Sequence, residues 1–547
     1  MASPESSAGR LPLAALVLLQ GLVFCVPNGL VQGAARGVPL RALLLVQALN
    51  LATLVVLMLL FRTPRASRWA LLPLAVLALA ATDFLHHFGG MPYAGAYQAL
   101  AHTTGREALE YLWLKRQSLA VIAAAAAAYG VAFGALAGRC GPGAFARVRK
   151  PALCACLCVI AVVANWDTFP IDTNRTRPDG NALALKNSFP IGFFLSAGRA
   201  YQTSRDMHTR NRDFRFHAVR SAPVPERETY VLVIGESASA DFWSLGGYPD
   251  DTTPRMRKYQ ASGELVYFPR TAAQASSTWL AVPMIITHGT PSTFSDVFSQ
   301  KSLLSAFREA GFTTYWISNQ NAAAHMDEAD FPILLHPSSG IMYTNYDEDL
   351  WPYLDSVIAS TQQKTLIVLH LMGSHTVYER RVPASFRTEG LSGPPLTRQY
   401  ARTICYTDYV LDGIIQRLGR VPGRSFLWYV SDHGQILLSS EVGHGSLEAS
   451  VHELHVPMLA WANPAFRAAA GPRFRLLGQR AGAVLSQGVT FPTFLGLGGV
   501  TYPGLDESRD LSSPAFIPGR KPEVLNGEAR AGQIDHFLEA LVAGKTP

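Results

Sequence analysis

Charge is what this chain has least of. Asp, Glu, Lys and Arg make up only 16% of its 547 residues, and its mean hydropathy is +0.13. Soluble domains carry about 25% charged residues, so the deficit excludes a wholly soluble protein and places part of the chain in lipid. Cysteine is scarce too. Of six, Cys25, Cys154, Cys156 and Cys158 fall in apolar runs, Cys140 follows one, and Cys405 stands alone in the C-terminal part. A single cysteine cannot form an internal disulfide, so that part must be held by core burial, for which it is long enough.

The apolar residues are concentrated in the first third, in the runs Leu11 to Leu30, Ala42 to Phe61, Trp69 to Leu85, Leu119 to Leu136 and Ala152 to Ala164. A bilayer core needs about 20 apolar residues per helix, and the second run meets this with only Gln47 and Asn50 as polar interruptions. The fifth is shorter and begins beside Pro151, which also fits a buried core helix. Arg62, Arg65 and Arg68 follow the second run, and Arg139, Arg147, Arg149 and Lys150 follow the fourth. Basic loops stay in the cytoplasm, so five spans put the C-terminal part outside, although Arg36, Arg41, Arg106, Lys115 and Arg116 weaken the bias. The first run precedes further spans and has no evident small-residue cleavage site, so it is expected to be retained rather than removed as a signal peptide. The net charge of +7 suits either a solvated basic surface or an anionic lipid surface; no nucleic-acid partner is expected.

These patterns predict a transmembrane domain over 1–165, a juxtamembrane linker over 166–228 whose apolar patch Phe189 to Leu195 meets the membrane interface, and a catalytic domain over 229–547. In the last, short β-rich runs alternate with helical stretches: Tyr230 to Gly235, Phe312 to Ser318, Thr365 to Met372, Phe426 to Ser431 and Val456 to Ala462. Strands spaced by helices predict an α/β domain with a mostly parallel sheet covered on both faces. Its ligand site is expected beyond the C-terminal strand ends, where the sequence puts Gly235-Glu236-Ser237, Gly373-Ser374-His375 and Ser431-Asp432-His433-Gly434.

Glu236, Asp432 and His433 offer two hard oxygens and one imidazole, a set that suits Zn²⁺ or Mn²⁺. Each element alone has a bland reading, a turn for Gly235-Glu236 and a helix cap with a surface histidine for Asp432-His433. Three of them at equivalent strand ends favour a metal site. His452 and His455, at the start of an apolar strand, read as core or surface histidines.

The chain resembles the phosphoethanolamine transferases of the alkaline phosphatase and sulfatase superfamily. The resemblance is carried by Val233-Ile-Gly-Glu-Ser237, Gly247-Tyr248-Pro249 with Thr252-Thr253-Pro254, Trp316-Ile-Ser-Asn-Gln320, His370-Leu-Met-Gly-Ser-His375 with Tyr378 and Arg381, Tyr406-Thr-Asp-Tyr409, and Ser431-Asp-His-Gly434 followed by Gly443-His444-Gly445. It implies a five-helix transmembrane domain joined to an α/β/α sandwich of the alkaline phosphatase and sulfatase type. Family members place a nucleophilic threonine five residues before a proline; in Ser277-Thr278-Trp-Leu-Ala-Val-Pro283 that position is Thr278, and the same count passes over Ser276 and Ser277. On the residues alone Thr278 is equally an N-cap for a following helix.

The resemblance further implies that Glu236, Thr278, Asp432 and His433 bind zinc, one ion with room for a second, and that His375 and His444 contact the phosphoryl group or the second ion. Mn²⁺ is the less favoured metal. Thr103, Glu107 and Asn319 are added as substrate contacts, although Ala99 stands where relatives often have an asparagine, and Gln435 where an acidic residue commonly follows Asp-His-Gly. On the residues alone Thr103 and Glu107 are an i, i+4 pair on an amphipathic helix. The implied reaction takes phosphoethanolamine from phosphatidylethanolamine to an envelope acceptor, whether lipid A, a core sugar of lipopolysaccharide or a periplasmic glucan. It would run in the periplasm from a multi-pass bacterial inner membrane protein. A sulfatase proper needs Cys/Ser-x-Pro-x-Arg, which is missing near Thr278. A glycerol-phosphate transferase of the lipoteichoic acid type and an inactive membrane scaffold remain as alternatives.

Overall fold

A computed structural model describes residues 10–532 apart from 37, 62, 89–96, 98–107, 110–111, 114, 141–144, 147, 156–183, 186, 208–212, 321–324, 336–345, 361, 439–440, 446–448 and 526–530. It divides into two compact units, the first Met1–Tyr97 with Leu109–Gln202 and the second essentially Thr203–Pro547.

In the first unit, four helices among the described residues are long and apolar enough to cross a bilayer: Leu11–Gly33, Leu40–Leu60, Pro64–His86 and Arg116–Arg139. They coincide with the first four predicted runs. Leu40–Leu60 has a mean hydropathy of 2.5, and at 1.5 Å per residue it reaches about 30 Å, the thickness of the hydrocarbon layer. The fifth expected span is helical up to residue 155 and the rest of it lies outside the described residues. Thr103, Glu107 and Ala99 lie outside them as well.

A buried polar group in an apolar bundle favours pairing, and three of the bundle's amides are linked to one another. Gln32 Nε2 donates to Asn28 Oδ1 at 2.8 Å and to the Asn187 carbonyl at 2.9 Å, while Gln47 Nε2 donates to Asn28 Oδ1 at 3.1 Å. The patch expected at the membrane interface is split: Phe189 is buried against Phe24, with ring centroids 6.1 Å apart, whereas Phe194 and Leu195 are half exposed. From Ile191, within the patch, the chain forms the helix Ile191–Met207.

The second unit is built on a seven-stranded sheet. Its strands are β1 (Glu228–Gly235), β2 (Leu265–Tyr267), β3 (Thr313–Ser318), β4 (Phe331–Leu334), β5 (Lys364–His370), β6 (Arg424–Ser431) and β7 (Met458–Ala462), in the spatial order β2-β7-β6-β1-β5-β3-β4. β1 runs parallel to β5 and β6, and β3 parallel to β4 and β5; β7 is antiparallel to both of its neighbours. The mostly parallel sheet is thus present, with one reversed strand and two short ones that the sequence pattern did not reveal.

Every position of β1 is buried because both faces of the sheet are covered. Tyr230, Leu232 and Ile234 enter one cluster with Phe307, Trp428 and Phe494, while Val231 and Val233 enter another with residues of helix α2 (Pro395–Gly419), including Ile404 and Ile414. Each fully buried aliphatic chain contributes about 1.5–3 kcal/mol, so these strands form a rigid floor. Their C-terminal ends carry the site. Cys405 is a buried free thiol.

Candidate active site

At the ends of β1 and β6 the chain turns sharply and holds two carboxylates together. Ser237 adopts a positive φ of 55° and donates its backbone N–H to Asp432 Oδ1 at 3.0 Å, where the His433 N–H also arrives at 2.7 Å. The Ser237 hydroxyl donates to Glu236 Oε1 at 2.6 Å. Glu236, Asp432 and His433 are all buried. The turn after β5 packs beneath them. Gly373 has φ +49°, and a Cβ there would lie 2.6 Å from the Glu236 carbonyl oxygen, so only glycine fits. Asp347 pins that turn by accepting the Met372 and Gly373 N–H groups at 2.8 and 2.9 Å.

Helix α1 (Thr278–Ile286) brings the hydroxyl. Its N-cap is Ser277 rather than Thr278, which is the first helical residue; this corrects the capping reading and frees the Thr278 side chain. Thr278 Oγ1 lies 3.0 Å from Glu236 Oε2, to which it donates, and 3.2 Å from His433 Nε2. The His433 Nδ1–H is directed at the Gly434 carbonyl at 2.8 Å, which leaves Nε2 as a free lone pair facing the hydroxyl.

Two more imidazoles close the site. The His433 and His444 ring centroids are 4.3 Å apart, and those of His375 and His444 5.4 Å. His375 Nδ1 is paired with the Thr376 carbonyl at 2.7 Å and His444 Nδ1 with Gln435 Oε1 at 2.9 Å. Gln435, standing where an acidic side chain was expected, is itself held by donation to the Tyr378 hydroxyl at 2.8 Å.

The electrostatics suit a cation. Burial pushes the Asp432 carboxyl well above its ordinary range, and the neighbouring Glu236 charge adds to this. Burial acts to raise Glu236 as well, but His433, His375 and His444 hold it well below the usual carboxylate range. Burial lowers His433 and His444, which favours their neutral forms. Asp432 Oδ2 is buried with no hydrogen-bond partner. Two buried carboxylates, one with an orphaned oxygen, and neutral imidazoles are the donor set that a divalent ion satisfies. The ligand atoms of Glu236, Asp432 and His433 lie within 4.8 Å of one another, as do those of Glu236, His375 and His444.

Other residues fall outside the cluster. Asn319 is buried and donates Nδ2 to Asp347 Oδ1 at 2.7 Å, so its amide nitrogen is committed to the protein rather than open to a substrate. His452 and His455 both address Asp241, at 3.2 and 2.5 Å, in agreement with their reading as structural histidines. Two supporting residues had no role assigned from sequence. Gln320 Nε2 donates to Glu236 Oε2 at 2.9 Å, and Gln487 Nε2 donates to the Asp432 carbonyl at 2.6 Å. Gln320 ends the Trp316 to Gln320 run at a strand terminus, which was the available signal; Gln487 lies in no motif.

At the C-terminal edge of the sheet a hydroxyl is held between a carboxylate and an imidazole. Residues 228–500 match the sulfatase family, and phosphoethanolamine transferases are among the chain's relatives.

The chain is 29% identical over 307 residues to phosphoethanolamine transferase EptA of Salmonella typhimurium, covering 52% of this chain and 55% of the relative. It is 25% identical over 315 residues to EptC of Escherichia coli, covering 53% and 54%. It thus spans about half the length of the curated relatives it matches. The integral membrane lipooligosaccharide phosphoethanolamine transferase A of Neisseria meningitidis has the same fold, with a TM-score of 0.67 at 20% identity over 92% of this chain and 98% of that one. The periplasmic domain of Escherichia coli EptC, solved as a zinc complex, matches with a TM-score of 0.54 at 23% identity over 60% and 98%.

Proposed function

We propose that the chain is a zinc-dependent phosphoethanolamine transferase of the bacterial inner membrane, working at the periplasmic face through a covalent phospho-threonine at Thr278. The observation that carries this is the Thr278 hydroxyl bracketed by Glu236 Oε2 at 3.0 Å and His433 Nε2 at 3.2 Å. A threonine hydroxyl is inert until its proton has somewhere to go, and both neighbours are acceptors.

Glu236, Asp432, His433 and Thr278 would hold the zinc, which when bound lowers the hydroxyl pKa and offsets charge on the phosphoryl oxygens. Thr278 Oγ1 attacks phosphorus of phosphatidylethanolamine and passes its proton to the histidine cluster; the bond from phosphorus to the diacylglycerol oxygen breaks, and that oxygen takes the same proton back from the cluster. An acceptor hydroxyl then gives up its own proton, bonds to phosphorus and displaces Thr278 Oγ1. His375 and His444, whose Nδ1 atoms are tied to Thr376 and Gln435, keep Nε2 for binding the phosphoryl group or moving these protons. The acceptor is an envelope glycan, lipid A or a core sugar of lipopolysaccharide. The assembled constellation argues against an inactive scaffold.

Incubation of the purified full chain with phosphatidylethanolamine, followed by peptide mass spectrometry, should find phosphoethanolamine on Thr278. The Thr278→Ala variant should retain metal yet lose transfer by at least about 10³-fold. A folded, metallated Thr278→Ala enzyme that transfers at the normal rate would exclude the mechanism. Mass spectrometry of glycolipids and glucans from a deletion strain identifies the acceptor by the species that loses the increment.

A further inference from the structure

The second unit holds another concave site, distant in sequence from Thr278. A cavity of about 430 Å³ opens between Arg255, Glu348, the middle of α2 and the loop that follows β5. Three aromatic rings line it: Phe386 lies 5.2 Å from Tyr406 and 5.4 Å from Tyr409, and the two tyrosines are 5.9 Å apart. Tyr406 is buried behind the other two, so Phe386 and Tyr409, each half-buried, present apolar ring surface in fixed positions. The loop is fixed as well, because Arg402 donates to the Pro383 and Phe386 carbonyls at 2.7 and 2.8 Å and Arg381 to those of His375 and Thr376 at 3.0 and 2.7 Å.

The polar lining divides into groups already engaged and groups left open. Arg255 is paired with Asp408 at 3.2 Å and Asp412 at 3.7 Å and lies over the Tyr409 ring, so its charge is offset within the protein. Glu348 is held in place by its backbone N–H to the Tyr406 hydroxyl at 3.4 Å and by a side-chain bond from Tyr409. Ser385 and Arg387 are exposed and make no hydrogen bond or ion pair with any described residue. The open lining therefore offers one guanidinium donor and one hydroxyl beside aromatic faces, with the Glu348 carboxylate, shared with Tyr409, as an acceptor.

We infer that this cavity binds a neutral sugar ring of the acceptor glycan, its C–H face on Phe386 and Tyr409, with Tyr406 packed behind them, and its hydroxyls on Glu348, Ser385 and Arg387. A polyol needs donors and acceptors together, which an anion or a cation site lacks. The volume lies at the small end of the range of about 300–1,000 Å³ that encloses small ligands, which suits one or two rings. The inference deepens the transferase reading and rests on it. It is joined to that site through the chain: one loop after β5 carries His375 at its start and Phe386 and Arg387 further on, and Asp347, next to Glu348, accepts two N–H groups of the same loop. A sugar seated here would be held by the loop that builds the catalytic histidine pair.

The test is saturation-transfer NMR with methyl glucoside, methyl galactoside and N-acetylglucosamine on the full chain, in a polyoxyethylene detergent that contains no sugar. At least one glycoside should bind saturably. Arg387→Ala and Phe386→Ala should each weaken it by about tenfold, with an unchanged melting temperature for the exposed Arg387 variant, and Arg387→Ala should raise the acceptor KM while kcat is retained. Saturable binding of none of the three, binding indifferent to both substitutions, or a fall in kcat at constant KM overturns the inference. So does displacement of the glycoside by glycerophosphoethanolamine, which would make the cavity a headgroup site. Thr278→Ala separates the two readings: it should bind glycosides as the parent chain does, so failure of the nucleophile leaves this result standing, and absent glycoside binding leaves the phospho-threonine peptide in place.

Discussion

Gln320 and Thr278 converge on a single oxygen, Oε2 of Glu236, at 2.9 and 3.0 Å. The hydroxyl approaches from the first turn of α1 and the amide from the end of β3, where Gln320 Nε2 also donates to the Leu371 carbonyl at 2.6 Å. The carboxylate is thereby oriented before any ligand arrives.

Gln320→Ala should leave the fold intact and lower metal affinity or turnover by about 10–100-fold, the usual cost of losing a partner that orients a ligand. Titration of zinc into the apo variant measures it. Affinity and turnover equal to the parent chain would show that Ser237 alone sets the Glu236 carboxylate.

Gly373→Ala should be poorly tolerated for two separable reasons. A left-handed conformation costs a non-glycine residue about 1–2 kcal/mol, and the added Cβ would meet the Glu236 carbonyl at 2.6 Å. Gly247, at φ +110° with open space around its Cβ position, carries the first cost alone. Thermal melting should therefore fall further for Gly373→Ala than for Gly247→Ala, and only the former should lose zinc.

The clasp of His452 and His455 on Asp241 makes stability depend on pH. Burial acts to raise the Asp241 carboxyl, but the two imidazoles bring it below its ordinary value of 3.8, so its contribution is present above that value and is lost in acid. The hydrogen bond to Asp241 raises His452 above 6.5, so its contribution is complete below 6.5 and fades as pH rises through the raised value. Asp241→Asn should accordingly lower the melting temperature more near about pH 6 than near about pH 9. An equal or larger loss at the alkaline end would refute the linkage.

Removal of the metal should destabilise as well as inactivate. Asp432 and Glu236 would then face each other buried and uncompensated, and a ligand at 100 times its Kd stabilises by about 2.7 kcal/mol. Chelation should lower the melting temperature of the parent chain, and added zinc should restore both melting temperature and transfer. Asp432→Asn should blunt the shift.

Some of this architecture was readable one residue at a time. Runs of about 20 apolar residues report helices in lipid because a bilayer leaves no alternative for unpaired backbone groups, and four such helices stand where the runs are. Buried parallel strands read as continuous apolar runs, so β1, β3, β5 and β6 were visible and so were the polar residues at their ends. β2 and β4 were not, since three or four residues carry no periodicity and owe their conformation to a neighbouring strand.

What pairing and packing decided is the chemistry's geometry. Glu236, Thr278 and Asp432 are far apart along the chain and meet only because β1 lies beside β6 and α1 points its first residue at that edge. Capping propensity offered Thr278 a local role, and tertiary structure overrode it by giving the cap to Ser277. Gln320, Gln487 and Asp347 are ordinary polar residues in sequence. Their roles come from burial, because a buried donor or acceptor must find a partner, and which partner it finds depends on the fold around it.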